Sequence, residues 1–231
     1  TLRFPELGTF DNFNFMVDKG RRAFASEMLG IRTFTTDSLM QASYDEPASF
    51  YGRLADGVWI SDDYTEFAFR LRANATWHDG SPLTVDDVIF SFEHYRTKGN
   101  AGIRTALRDL GEVKKIGNNE VYFAIKETAE GNPILPFAVA QFAIQSKRYW
   151  SNLDATKTTI VPPMGSGPYK VKDFVLGRYV TYERVDDYWG KEVPSMRGRH
   201  NFDYLKCDYY RDESIMVESI KADAVSYTHL Q

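Results

Sequence analysis

The stretch from Phe67 to Phe92 constrains this chain more than any other. Phe67, Phe69 and Leu71 alternate with Ala68, Arg70 and Arg72, the period-two pattern of a half-buried strand. Trp77-His78-Asp79-Gly80-Ser81-Pro82 follows, a cluster of turn formers. Thr84 and Asp87 then stand at capping-box spacing, with Asp87 as a shorter substitute for Glu or Gln. Val85, Val88, Ile89 and Phe92 mark one face of a helix. The pattern predicts a helix over 85–97, ended by Gly99-Asn100, and a turn that reverses the chain after an edge strand. A strand and a helix in such close succession bury their apolar faces together, which points to a mixed α and β architecture.

The rest of the chain extends this reading. Val121, Phe123 and Ile125 alternate after the turn Gly117-Asn118-Asn119. Further strands are expected at 169–174 and 178–185, joined near Gly177, and at Tyr204–Tyr209. Ile215 to Ala222 reads as a helix. Residues 37–58 carry a patchy helical pattern interrupted by Pro47. The 16 Phe and 14 Tyr fit a strand-rich protein, because flat rings pack well on a pleated surface; they also fit a site that grips ligands by stacking. With 231 residues there is room for one large domain or two small ones, and no fixed-period repeat is visible. The expected fold class is α/β, with mixed strands and helices.

Composition removes several functions. The net charge of −4 and the absence of a basic stripe argue against a nucleic-acid partner. The pairs Arg21-Arg22 and Lys114-Lys115 read as solvated faces. No segment approaches 18 apolar residues, so no membrane span is expected. The single cysteine, Cys207, shares a strand face with Leu205 and Tyr209 and reads as a buried structural thiol. The 4 His form no metal-binding spacing, and no cofactor or metal is expected. His78-Asp79 reads as part of a turn rather than a catalytic dyad. Gly165-Ser166-Gly167 lacks the Lys-Ser/Thr of a phosphate loop and the spacing of a nucleophile elbow. The pairs Asp62-Asp63, Asp86-Asp87 and Asp186-Asp187 are adjacent in sequence, which says little about two carboxyls facing each other across a cleft.

Two loops stand out. Gly8-Thr9-Phe10-Asp11-Asn12 leaves the first strand in a run of turn residues. Pro162-Pro163-Met164-Gly165-Ser166-Gly167-Pro168 is stiff and bent, with Gly165 and Gly167 expected to permit positive φ. The chain opens without an initiator Met, as though processed or cut. Its last residues stop without a cap or turn and read as a possible artefact.

Several blocks together resemble one family. WHDGSPLTVDDVIFSFE (77–93), GSGPYKV (165–171), YERVDDYWGK (182–191) and FDYLKCDYYRDES (202–214) occur in the order seen in extracytoplasmic solute-binding proteins of family 5, the dipeptide, oligopeptide and nickel receptors of ABC importers. LGTFDNFNF (7–15) resembles that family's opening strand and loop. RGRHNFD (197–203) and YYRDES (209–214) resemble its YejA-like peptide-binding subgroup. The resemblance implies a periplasmic-binding-protein type II-like fold, with residues 1–222 as an incomplete first lobe of a two-lobed receptor and 223–231 as an atypical tail. It implies a non-enzymatic, periplasmic or otherwise extracytoplasmic protein that closes on oligopeptides and delivers them to a cognate ABC permease. The implied ligand-binding candidates are Gly8, Thr9, Phe10, Asp11 and Asn12, with Met164, Gly165, Ser166 and Gly167. An ordinary structural turn remains open for each set. The alternatives are a carbohydrate-active hydrolase using Asp or Glu, or a family member that takes nickel, haem or sugar.

Overall fold

The strand β1 (Leu2–Leu7) runs parallel to β10 (Tyr204–Tyr210), with Leu2 opposite Leu205 and Leu7 opposite Tyr210. The computed structural model describes residues 1–21, 23, 34–43 and 45–222. In it, β10 pairs antiparallel with β9 (Tyr179–Arg184), and β9 with β8 (Tyr169–Val175), giving the order β1-β10-β9-β8. The strands expected from 169, 178 and 204 thus form within a residue of their predicted limits. Gly177, at φ +68°, makes the β8–β9 turn, and Arg178 N donates to Val175 O at 2.9 Å.

The pleat sorts this sheet into two faces. Leu205, Cys207, Tyr209, Val180, Tyr182 and Tyr169 are buried, and Phe10 and Phe13 cover them. Cys207 is 2% exposed, and burial pushes its thiol up to about 12, so it is a structural thiol. The opposite face carries ion pairs such as Arg3–Asp208 at 2.9 Å, and Lys206 lies over the Tyr179 ring at 4.2 Å.

A second sheet, wholly antiparallel, has the order β4-β5-β7-β6: β4 (Ala55–Ile60), β5 (Glu66–Leu71), β6 (Leu110–Lys115) and β7 (Glu120–Ile125). Phe67 pairs with Phe123, and their rings stack at 5.1 Å. Helix α1 (Val85–Lys98) lies on that face, where Phe92 meets Phe123 edge-on at 5.0 Å. Its expected cap is present: Thr84 N donates to Asp87 Oδ2 at 3.0 Å. Asp87 Oδ1 also accepts from Lys147 N at 3.1 Å, so the helix start is tied to a later segment.

Two expectations are corrected here. Strand β5 is not an edge strand, since β4 flanks it on one side and β7 on the other. The described residues of 37–58 are not helical. They supply β2 (Met40–Ala42), β3 (Phe50–Gly52) and the start of β4, and Pro47 lies in the turn between β2 and β3. Strands of three residues are too short to display alternation, and β4 is a half-covered edge. The short helices α2 (Ala101–Ala106), α3 (Leu135–Ala140) and α4 (Lys147–Trp150) complete this half, and α5 (Glu213–Lys221) follows β10. Among the described residues, no helix is long and apolar enough to cross a membrane.

One segment joins both cores. Phe10 and Phe13 pack on the first sheet, whereas Phe15 and Met16 enter the core of the second. Asn12 and Asn14 hold it in place from within. Asn12 Oδ1 accepts from Thr159 N at 3.0 Å, and Asn14 Nδ2 donates to Ala155 O and Lys157 O at 2.9 and 2.8 Å.

Candidate functional site

The two candidate loops sit at opposite ends of the first sheet. Register decides this. Gly8 follows Leu7, which lies opposite Tyr210, at the end where the Gly177 turn also lies. Gly167 precedes Tyr169, which lies opposite Arg184, at the other end. The structure therefore does not bring the two sets together.

The first set lies at the carboxyl ends of the parallel pair β1 and β10. Gly8 N donates to Tyr210 O at 2.7 Å and carries the pairing one residue past the strand. Its φ of +121° is a conformation that favours glycine, and it turns the chain off the sheet. Gly177 N donates to Phe10 O at 3.2 Å. Asp11 and Arg21 clasp one another through main chain and carboxylate: Asp11 N donates to Arg21 O at 2.8 Å, and Arg21 N donates to Asp11 Oδ1 at 2.7 Å. Thr9 and Asp11 are exposed and Gly8 is half-buried, while Phe10 and Asn12 are buried. Thus Phe10 and Asn12 build the loop, and Gly8, Thr9 and Asp11 give it a surface.

The second set is a buried seam between the sheets. A Cβ on Gly165 would stand 1.8 Å from Thr35 O, and one on Gly167 would stand 2.5 Å from Phe34 O. Neither glycine has positive φ, contrary to expectation. They are required because two backbones approach closely. Gly167 N donates to Thr35 O at 3.0 Å, His78 N to Gly165 O at 2.8 Å, and the His78 ring meets Gly167 O at 2.8 Å. His78 thus fastens the turn to the loop, and burial lowers its pKa. Met164 is half-buried.

Ser166 leads to a network that sequence reasoning missed. Ser166 Oγ accepts from Asp37 N at 3.0 Å. Asp37 is 0% exposed; its carboxylate meets Arg53 Nε at 2.5 Å and accepts from Tyr188 Oη and Trp189 Nε1, each at 3.0 Å. Burial pushes the Asp37 carboxyl above its ordinary range, and Arg53, Tyr188, Trp189 and Ser166 pull it back. Four distant parts of the chain converge there. Nearby lies a cavity of ≈ 270 Å³ lined in part by Pro168, Arg184, Lys191, Arg199 and His200. Among the described residues, no group of three or more His, Cys, Asp or Glu is placed to hold a metal ion.

Residues 49–230 match the family model described as bacterial extracellular solute-binding proteins, family 5 middle. The probable peptide-binding protein YejA of Agrobacterium fabrum is 35% identical over 98% of this chain and 37% of its own length. The chain thus spans about a third of the length of the curated relatives it matches. Among solved structures, NikZ of Campylobacter jejuni in complex with Ni(L-His) superposes with a TM-score of 0.77 at 22% identity, over 97% of this chain and 42% of that one. The oligopeptide-binding protein AppA of Bacillus subtilis, in complex with a nonapeptide, gives 0.74 at 23%, over 97% and 44%. Those two likenesses establish the shared α/β fold, periplasmic-binding-protein type II, and the matched model establishes descent: this chain belongs to family 5 of the bacterial extracellular solute-binding proteins.

Proposed function

We propose that this chain serves as part of the first lobe, spanning residues 1–222, of an extracytoplasmic receptor that captures oligopeptides and delivers them to an ABC permease. Residues 223–231 lie outside the described residues. The observation that carries the reading is the Gly8–Asn12 loop at the carboxyl ends of β1 and β10. In open α/β sheets, ligands enter outside the carboxyl ends of parallel strands. An extended peptide there can bond to exposed backbone in strand fashion, with its side chains left to roomy surroundings. Gly8, Thr9 and Asp11 supply the contact surface, and Phe10 and Asn12 support it. The Met164–Gly167 set keeps the two sheets in register, with Met164 reaching the surface.

The cavities near the seam do not compete with this assignment. Half of a cleft is an open surface until a second lobe closes over it. The receptor reading also accounts for a fold whose recognisable sequence blocks are caps, turns and seams instead of reactive groups. The peptide reading follows the YejA relative of Agrobacterium fabrum.

The test is ligand-dependent thermal stabilisation of the full-length protein containing this chain. A mixture of short peptides should raise its melting temperature, whereas nickel, haem and sugars should not. This chain alone should bind the same peptides in the millimolar range or more weakly. A peptide response absent from the full-length protein, or a turnover of glycosides, would overturn the reading.

A further inference from the structure

The arginines of this chain divide into two groups by their partners. Every described arginine but three is engaged, by a carboxylate as at Arg3, Arg70 and Arg184, or by backbone carbonyls as at Arg72 and Arg104. Arg21, Arg178 and Arg211 are exposed, and among the described residues no side-chain hydrogen bond or ion pair engages them.

These three lie at one place. Arg211 follows Tyr210, whose carbonyl accepts from Gly8 N at 2.7 Å. A Cβ added to Gly8 would come within 3.6 Å of the Arg21 guanidinium. Arg178 O accepts from Tyr209 N at 2.7 Å, one residue from Tyr210. The three therefore border the carboxyl ends of β1 and β10, beside Gly8 and Thr9. The neighbouring carboxylates do not neutralise them through direct pairing. Asp11 accepts from Arg21 N, and Asp212 caps α5 by accepting from Ile215 N at 3.1 Å. Arg21, read from sequence as part of a solvated face, belongs to this group.

We infer that these three arginines form a receptor for a carboxylate group of the ligand. Resting on the peptide reading above, the inference adds the polarity of capture: the peptide's anionic group lies at this end of the sheet. A guanidinium fits a carboxylate with two parallel N–H···O bonds, and its charge persists at any physiological pH. The carboxylate can be a peptide C-terminus or an acidic side chain.

The experiment is NMR of this chain with isotopically labelled arginine side chains, titrated with four probes: acetate, triglycine, triglycine amide, and Gly-Glu-Gly amide. Saturable shifts of the Nε–H signals of Arg21, Arg178 and Arg211 with triglycine, and none with triglycine amide, are expected. The paired Arg70 and Arg197 should stay still. The triple variant Arg21→Gln, Arg178→Gln, Arg211→Gln should weaken triglycine at least about tenfold, the scale of a lost charged contact, and leave triglycine amide unchanged. A response to Gly-Glu-Gly amide assigns the site to acidic side chains, and a response to triglycine alone assigns it to the C-terminus; either supports the inference. Triglycine and its amide binding equally, with no arginine response, overturn the inference and leave the peptide reading standing. Acetate shifting the three arginines while no peptide binds keeps the carboxylate receptor and sinks the peptide reading. No arginine response to any carboxylate overturns the inference.

Discussion

At the seam, Arg53 is 1% exposed and meets Asp37 at 2.5 Å; at the carboxyl end of β10, Arg211 is exposed and has no side-chain partner among the described residues. The same contrast extends to their surroundings. Gly165 and Gly167 have their polar backbone groups tied to Thr35 and His78, while Gly8 and Thr9 open to solvent beside three arginines. A buried ion pair whose partners are all present fastens the fold, and removing one partner leaves an uncompensated charge in a place without water. An exposed cation without a counter-charge contributes little to folding, and its effect falls on what arrives from outside. Under the function proposed above, stability and recognition are separated along the length of one sheet.

Substitutions at the two ends test that contrast. Arg53→Met strands the Asp37 carboxylate and should cost about 3–5 kcal/mol in urea unfolding. A loss under about 1 kcal/mol would mean that the seam does not fasten the fold. Gly165→Ala forces a Cβ to 1.8 Å from Thr35 O. It should cost about 1–3 kcal/mol by overpacking, whereas nothing at the carboxyl end should respond in peptide titrations.

Acid should act on the seam as well. His200, beside the cavity, is held down to about 4 by burial, with Arg53 and Arg199 adding to the effect. Unfolding frees it to bind a proton below its ordinary value near 6.5. The unfolded chain therefore holds more protons between those two values, and stability should fall as pH drops through that window. His200→Asn, which suits the φ of 61° at this position, should flatten that part of the melting curve against pH. An unchanged slope would remove His200 from the account. The smallest effect belongs to the other end. The triple variant at Arg21, Arg178 and Arg211 should change stability by no more than about 0.5 kcal/mol. A larger loss would show that these side chains support the fold.

What the sequence disclosed follows how local each feature is. Strand β5, its turn and α1 were legible because alternation, capping and helical spacing are all written within one continuous stretch. Strands β2 to β4 were not, because their partners lie elsewhere and each is too short or too exposed to show a period. Gly165 and Gly167 were singled out correctly as special, but for the wrong reason, since the backbone that crowds them belongs to residues 34–35. No local signal in the sequence marks Asp37. Its partners stand 16 residues away at Arg53 and 151 away at Tyr188, and only the fold joins them. The arginine cluster was invisible for a related reason: which cations lack a partner is a property of three-dimensional neighbours.

The parallel pairing of β1 with β10 also sets a clock. Leu2 finds its partner only when Leu205 has been made. At about 5–20 residues per second, ribosomal synthesis leaves β1 unpaired for roughly ten to forty seconds. The second sheet can assemble meanwhile from strands close in sequence, but the first must wait, because closing so long a loop carries an entropic cost that local contacts do not offset. A chain built this way leaves β1 unpaired until residues 204–210 have been made, and any helper that handles the nascent polypeptide meets β1 before its own sheet does.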